Sequence, residues 1–438
     1  MSLLLHGQSS ACRPQGGKGR RPGSAGWSSP ASFPRAWLAA LFVACALFAG
    51  GLSLFSTDAL HRVWGMFAAG AYVLAAAAVV AWKSRGGLDL ALALSLGGAL
   101  IAPLGLLAAQ GRWQPEVGVI ARGANLLVHH GSPYQSQAVL ATAHDPNSYN
   151  PYLPAMALFG FPRALLGPGL LTDPRVWFLV GFVAVFAGAL AVAGAKDVWR
   201  WTALVTATPV IAFSLTVGGT DVPVLALLCL GLALLWHRPR SLLAGLVFGI
   251  AAATKATAWP AVVVAATMLA ATVGRRATTR FCLATLVTAA VIIGPFAVLW
   301  PRTLLDNTVL FPLGLASVKS QAASPLPGHL LADTGHTGHT IAVLLLCLAG
   351  LGIVVSLVVR PPRTVPAATW RLIIGLVLMF VLAPATRFGY FMYPAGLGIW
   401  LGVSTLGSRA RRADTAASAD EDVGRGSPAG TLPRATTA

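Results

Sequence analysis

Carboxylates are scarce in this chain, and the scarcity narrows the chemistry it can do. Its 438 residues carry only 13 Asp and Glu, and Asp414, Asp420, Glu421 and Asp422 of these fall in a polar C-terminal tail. Glu116 is the only glutamate outside that tail. It stands in Gly111-Arg112-Trp113-Gln114-Pro115-Glu116, just past a long apolar run. A partly desolvated carboxylate at such a boundary suits a general base that takes a proton from an attacking hydroxyl. On position alone, an ordinary solvated loop glutamate remains open.

Other side chains invite paired readings. Asp221 follows Gly218-Gly219-Thr220 at the start of an apolar run. It either caps a helix, complementing the helix dipole, or belongs to a site. Lys255 lies between two apolar runs that are short for membrane spans. It either snorkels outward or faces a polar cavity where a cation holds a phosphate. The 301–339 segment carries Arg302, Asp306, Lys319, His329, Asp333, His336 and His339. The spacing of His329, Asp333, His336 and His339 matches no established ligand pattern, so no metal is expected there. A single histidine meeting a phosphate or a sugar hydroxyl is the better reading, with His329 stiffened by Pro325-Leu326-Pro327-Gly328. The chain has no P-loop, no G-x-S-x-G elbow, no H-E-x-x-H and no D-x-D, so an ATP-driven pump or a protease lacks its machinery. No cofactor is expected.

The elements that position these groups are apolar helices. Composition is 56% hydrophobic and 10% charged, which excludes an ordinary soluble domain. Stretches such as 38–55, 88–109, 176–195 and 341–359 are long enough to cross the ~30 Å hydrocarbon layer. The net charge of +18 is dispersed in short clusters at helix ends: Lys83 and Arg85; Lys196 and Arg200; Arg238 and Arg240; Arg275, Arg276 and Arg280; Arg360 and Arg363; Arg409, Arg411 and Arg412. That is a topology signal and a contact with anionic membrane lipids, not a nucleic-acid surface. With all clusters on one face, the pattern predicts an all-α integral membrane bundle of about twelve spans with both termini cytoplasmic. The Pro-rich 151–167 stretch is then re-entrant or interfacial, and 110–174 and 301–339 form the main external loops. Residues 1–34 and 407–438 are expected to be disordered cytoplasmic tails flanking a 35–406 transmembrane domain. The basic N-terminus does not read as a cleavable signal peptide. Five cysteines without a C-x-x-C signal neither a disulfide framework nor a thiolate metal site.

Two stretches carry a family resemblance. Glu116-Val117-Gly118-Val119-Ile120, followed by Ala124-Asn125-Leu126-Leu127-Val128-His129-His130-Gly131-Ser132-Pro133-Tyr134, resembles the first external loop of GT-C polyprenyl-phosphate-dependent glycosyltransferases. Tyr149-Asn150-Pro151-Tyr152-Leu153-Pro154 resembles the Tyr-x-Pro-Pro stretch of glycosyltransferase family 87, a mannosyltransferase-like group, with Tyr152 at the second Pro. Glu116 stands where that family usually has Asp. The Gly218-Gly219-Thr220-Asp221 turn and the Gly245, Gly249, Lys255, Pro260 segment continue the likeness. The resemblance implies a GT-C-like bundle with external interfacial helices. It also implies transfer of a sugar, mannose being the expected one, from a polyprenyl-phosphate donor to a lipid or glycan acceptor at the outer face of the cytoplasmic membrane. Glu116 would be the base, with Lys255, His329, Arg302, Lys319, Asp221 and Tyr149 binding substrate. A multi-pass lipid or solute transporter is the alternative; it would require ionisable residues around a mid-membrane cavity.

Overall fold

A computed structural model of the chain describes residues 29–82, 84–318 and 320–425. In chain order the main helices are α1 (Arg35–Phe55), α2 (Ala59–Ala81), α3 (Arg85–Ala109), α4 (Pro115–His130), α5 (Pro154–Leu166), α6 (Pro174–Ala193), α7 (Val198–Ala207), α8 (Pro209–Val217), α9 (Val222–Ala233), α10 (Ser241–Thr254), α11 (Ala256–Thr272), α12 (Arg275–Leu299), α13 (His336–Val359), α14 (Val365–Leu382) and α15 (Met392–Arg425). Among the described residues no strand forms, and extended pairing is confined to an isolated bridge between Ala323 and Thr386. The disorder expected of residues 1–34 falls mostly outside the described residues, as does that of 426–438. Residues 407–425 continue helix α15 instead of leaving it.

The fold is all-helical, but its spans are fewer than the hydropathy pattern suggests. Among the described residues seven helices, α1, α2, α3, α6, α12, α13 and α14, are long and apolar enough to cross a membrane. The count rises to eight if α7 and α8 form one span bent by 62°. Pro209 makes that bend, since it donates no hydrogen bond and drives Thr208 into extended backbone (ψ 150°). Helices α9 and α10 have 12 and 14 residues, a rise of roughly 18–21 Å against the ~30 Å of a hydrocarbon layer. Helices α5 and α11 are also too short. Four apolar stretches therefore build helices of 10–17 residues, shorter than the seven long ones. The 151–167 segment, expected to be re-entrant or interfacial, is the short helix α5.

Small residues let the short helices pack closely. Gly245 and Gly249, one turn apart on α10, face α12, where a Cβ would come within 2.5 Å of the Phe281 carbonyl and 2.6 Å of Thr288 Cβ. This is the small-xxx-small contact by which helices associate without a hydrophobic driving force between them. Helices α12 and α13 bury the least of their surface among the seven long helices, so they lie at the rim of the bundle, while α9 sits at its centre with ten buried residues.

The two ends of the bundle hold different polar groups. At one end Arg200 of α7 bonds Asp89 of α3 at 2.7 Å and Asp197 at 3.0 Å. At the other end the α3–α4, α8–α9, α10–α11 and α14–α15 connections converge with the 131–153, 306–318 and 320–326 segments.

Candidate active site

The Tyr149–Leu153 segment is the scaffold of this end. Pro151 and Pro154 favour extended backbone in the residues before them, and the buried polar groups of the segment are tied down on each side. Asn150 N–H donates to Asn307 Oδ1 at 2.7 Å, and Asn150 Nδ2 donates to the Pro133 carbonyl at 3.0 Å. Tyr134 O–H donates to the Tyr152 carbonyl at 3.0 Å, and Leu153 N–H to the Thr254 carbonyl at 3.1 Å. Tyr149 stacks on Phe311 with ring centroids 4.7 Å apart, and its hydroxyl lies 3.1 Å from Ser317 Oγ.

Glu116 comes from the first turn of α4. Pro115 opens that helix, where a missing N–H costs nothing and a carboxylate complements the helix dipole. The turn is anchored from below, because Gln114 N–H donates to the Val217 carbonyl at 2.8 Å. Gly218, at φ 149°, leaves no room for a side chain, since a Cβ would lie 2.8 Å from Val117. Arg163 and Arg175 approach the ring of Trp113 at 4.8 and 5.9 Å, pinning the same turn from the side.

The partner of Glu116 is Arg387, whose guanidinium pairs with Glu116 Oε1. Glu116 Oε2 is buried and has no hydrogen-bond partner. Arg387 sits on a fixed backbone: Thr386 N–H donates to the Ala322 carbonyl at 2.8 Å, Ser324 N–H to the Thr386 carbonyl at 2.9 Å, and Phe388 N–H to Ser324 Oγ at 3.0 Å. Glu116, Arg387, Tyr149, Tyr152, Phe311 and Tyr390 line a small open cleft of about 70 Å³. Arg387 is the one cation among its described lining residues.

Behind two of the tyrosines lies a second charged pair. Lys255 interrupts the α10–α11 helix path with extended backbone, and its Nζ bonds Asp221 Oδ1 at 2.5 Å. Tyr393 O–H donates to the same oxygen at 2.7 Å and lies 2.9 Å from Thr257 Oγ1. The rings of Tyr152 and Tyr390 flank the ammonium at 5.3 and 5.1 Å, close enough for cation–π attraction. Burial pushes the Tyr152 phenol well above its ordinary range, so it remains a neutral hydroxyl that accepts from Thr220 Oγ1 at 3.3 Å.

The structure thus gathers some of the residues singled out by sequence and not others. Glu116 and Tyr149 line the cleft. Asp221 and Lys255 pair with each other one layer behind it, and the carboxylate of Asp221 caps nothing, since α9 begins without a side-chain cap bond. His329 lies outside the lining; its Nδ1 is 2.8 Å from the Pro384 carbonyl, where it braces the turn leading to Arg387. Arg302 is exposed and also outside the lining. Lys319 lies outside the described residues. Among the described residues no three His, Cys, Asp or Glu come together as metal ligands. Arg387, Tyr390 and Tyr393 escaped sequence reasoning. The available signal was a lone arginine between two apolar runs on the face that the charge pattern otherwise leaves poor in cations.

Comparison with known proteins identifies the family. The family model of glycosyltransferase family 87 matches residues 150–384. No curated protein matches the chain, and no solved structure matches it. The matched span starts within the Tyr149–Leu153 scaffold and ends three residues before Arg387, enclosing Asp221, Lys255 and His329. With more than half of its length in that match, the chain belongs to glycosyltransferase family 87 and is a membrane glycosyltransferase.

Proposed function

We propose that this enzyme moves a sugar, with mannose the expected one, from a polyprenyl-phosphate donor to a hydroxyl of a lipid-linked or cell-envelope glycan. The reaction runs in the GT-C manner at the outer face of the cytoplasmic membrane. The observation that carries this reading is the pairing of one carboxylate and one guanidinium across a tyrosine-walled cleft.

The acceptor oxygen attacks the anomeric carbon from the side opposite the phosphate, and the bond between that carbon and the phosphate oxygen breaks. Its electron pair leaves with the lipid phosphate, which is stable enough as an anion to need no general acid. The acceptor proton goes to Glu116, whose buried Oε2 has no hydrogen-bond partner. A single carboxylate and a single displacement give inversion at the anomeric centre. Arg387 faces the departing phosphate, where a planar fork of donors stabilises growing negative charge. Tyr149, Tyr152 and Tyr390 present rings to the sugar, and Lys255 and Asp221 hold the latter two in place. His329 acts through the Pro384 turn.

The test is transfer of label from radiolabelled polyprenyl-phosphate mannose to membrane lipids by the wild type and by Glu116→Gln. The reading expects incorporation by the wild type and its loss in a folded variant. Full activity of Glu116→Gln would remove Glu116 as base. If no carrier-linked sugar, arabinose included, is incorporated, the donor class is wrong.

A further inference from the structure

Glu116 is held in a state that does not suit a base. Its Oε1 is occupied by Arg387, and a carboxylate gripped by a guanidinium is turned toward that cation and stabilised as an anion. Its Oε2 is buried without a partner, and an unsatisfied buried oxygen carries a penalty of about 1–3 kcal/mol until something donates to it. Arg387 is equally incomplete: no other described hydrogen bond holds its side chain, which is 33% exposed and open to the cleft. Its backbone, by contrast, is clamped to the 322–324 segment on both sides. The guanidinium can therefore change partners without any movement of the chain.

We propose that the Glu116–Arg387 pair is a lock on the base, and that the donor's phosphate opens it. The inference rests on the polyprenyl-phosphate reading of the cleft. The two unesterified oxygens of a sugar phosphodiester fit the guanidinium fork as well as a carboxylate does. When the donor enters, Arg387 turns to the phosphate, and Glu116 is released toward the acceptor hydroxyl. As the bond to the anomeric carbon breaks, the phosphate gains a second negative charge and holds Arg387 more firmly, while Glu116 takes the proton and becomes neutral. A neutral carboxyl does not recapture the guanidinium. The lock resets when the proton passes to water and the lipid phosphate leaves. Donor binding therefore precedes activation of the acceptor.

The test uses the leaving group alone, polyprenyl monophosphate, so that it does not depend on which sugar is transferred. Its dissociation constant is measured for the full-length protein in nanodiscs as wild type, Glu116→Gln, Arg387→Ala, Arg387→Lys and the Glu116→Gln/Arg387→Ala pair. If Glu116 competes with phosphate for Arg387, Glu116→Gln tightens binding roughly tenfold, and most of that gain disappears when Arg387 is alanine. Arg387→Lys, which keeps the charge and loses the fork, gives an intermediate gain and serves if the alanine variant does not fold. Unchanged or weaker binding by Glu116→Gln would overturn the lock, because Glu116 would then be orienting Arg387. An equal gain without Arg387 would also overturn it, since it would report only like-charge repulsion. Failure of every form to bind polyprenyl monophosphate would instead refute the donor assignment on which the lock depends.

Discussion

Two ion pairs at the same end of the bundle are built to opposite specifications. Asp173 and Arg175 are essentially inaccessible, 1% and 0% exposed, and every arm of the pair is used. Arg175 donates to both carboxylate oxygens at 2.9 and 2.7 Å and to the Thr216 carbonyl at 2.7 Å. Its backbone N–H completes the set on Asp173 Oδ1. Glu116 and Arg387 are 20% and 33% exposed, one carboxylate oxygen is left over, and the guanidinium has a single partner. A saturated pair fixes the α6 start to the end of α8 and has nothing to offer a ligand. The unsaturated pair has one acceptor and most of a donor fork in reserve. Lys255–Asp221 stands between them, 12% and 13% exposed, with Tyr393 as a further donor.

The contrast can be broken in four ways. The largest effect is expected in Glu116→Gln, where kcat falls by about 10²–10⁴-fold, the range of a general base, while the unfolding midpoint stays within a few degrees. A variant that unfolds instead would put Glu116 in the structural class. Next comes Arg175→Met, which strands a buried carboxylate and should cost about 3–5 kcal/mol of stability. Thermal unfolding in detergent reads this directly, and a mild shift would show that saturation of the pair does not hold the fold. Asp221→Asn should cost about 1–3 kcal/mol, because it leaves Lys255 beside a neutral partner but still flanked by two rings. Donor KM should rise in step, as Tyr152 and Tyr390 loosen; normal kinetics in a destabilised protein would confine the pair to the scaffold. The smallest stability effect belongs to Arg387→Met, about 1 kcal/mol, typical of a part-exposed pair. A loss as large as that of Arg175→Met would erase the distinction between the pairs.

Much of the candidate site was legible before the fold was known, for reasons specific to each residue. Glu116 stood out because glutamate occurs nowhere else before the tail, and the cleft does contain it. Tyr149 stood out through its Pro-flanked motif, whose prolines do hold the extended segment. Asp221 and Lys255 each stand out alone in the sequence, and their mutual pairing does not. A cap and a snorkelling lysine are local readings, whereas the bond joining them crosses from the start of α9 to the end of α10. Arg387 is a lone arginine between two apolar runs, a signal that assigns it no role by itself; its meaning lies in Glu116, on a helix far earlier in the chain. The expected count of about twelve spans also depends on features that composition alone does not fix. Composition identified apolar helices correctly, but their length is cut by Pro209, by the Gly218-Gly219 turn and by the break at Lys255, and α9 is surrounded by protein.

The sequence by itself determined that this is a helical membrane protein and that few carboxylates exist to do chemistry. Each of those follows from local facts: the apolar length a hydrocarbon layer demands, the hydrogen bonds a helix satisfies within itself, and the residue types present. Only the tertiary structure decided which charges neutralise one another, which short helices stop part-way, and which tyrosines face the cleft. Those outcomes depend on close packing between segments distant in the chain, where a glycine's missing Cβ or a fixed turn sets distances to within an ångström. Pairing Glu116 with Arg387 is such an outcome, and the proposed chemistry depends on it.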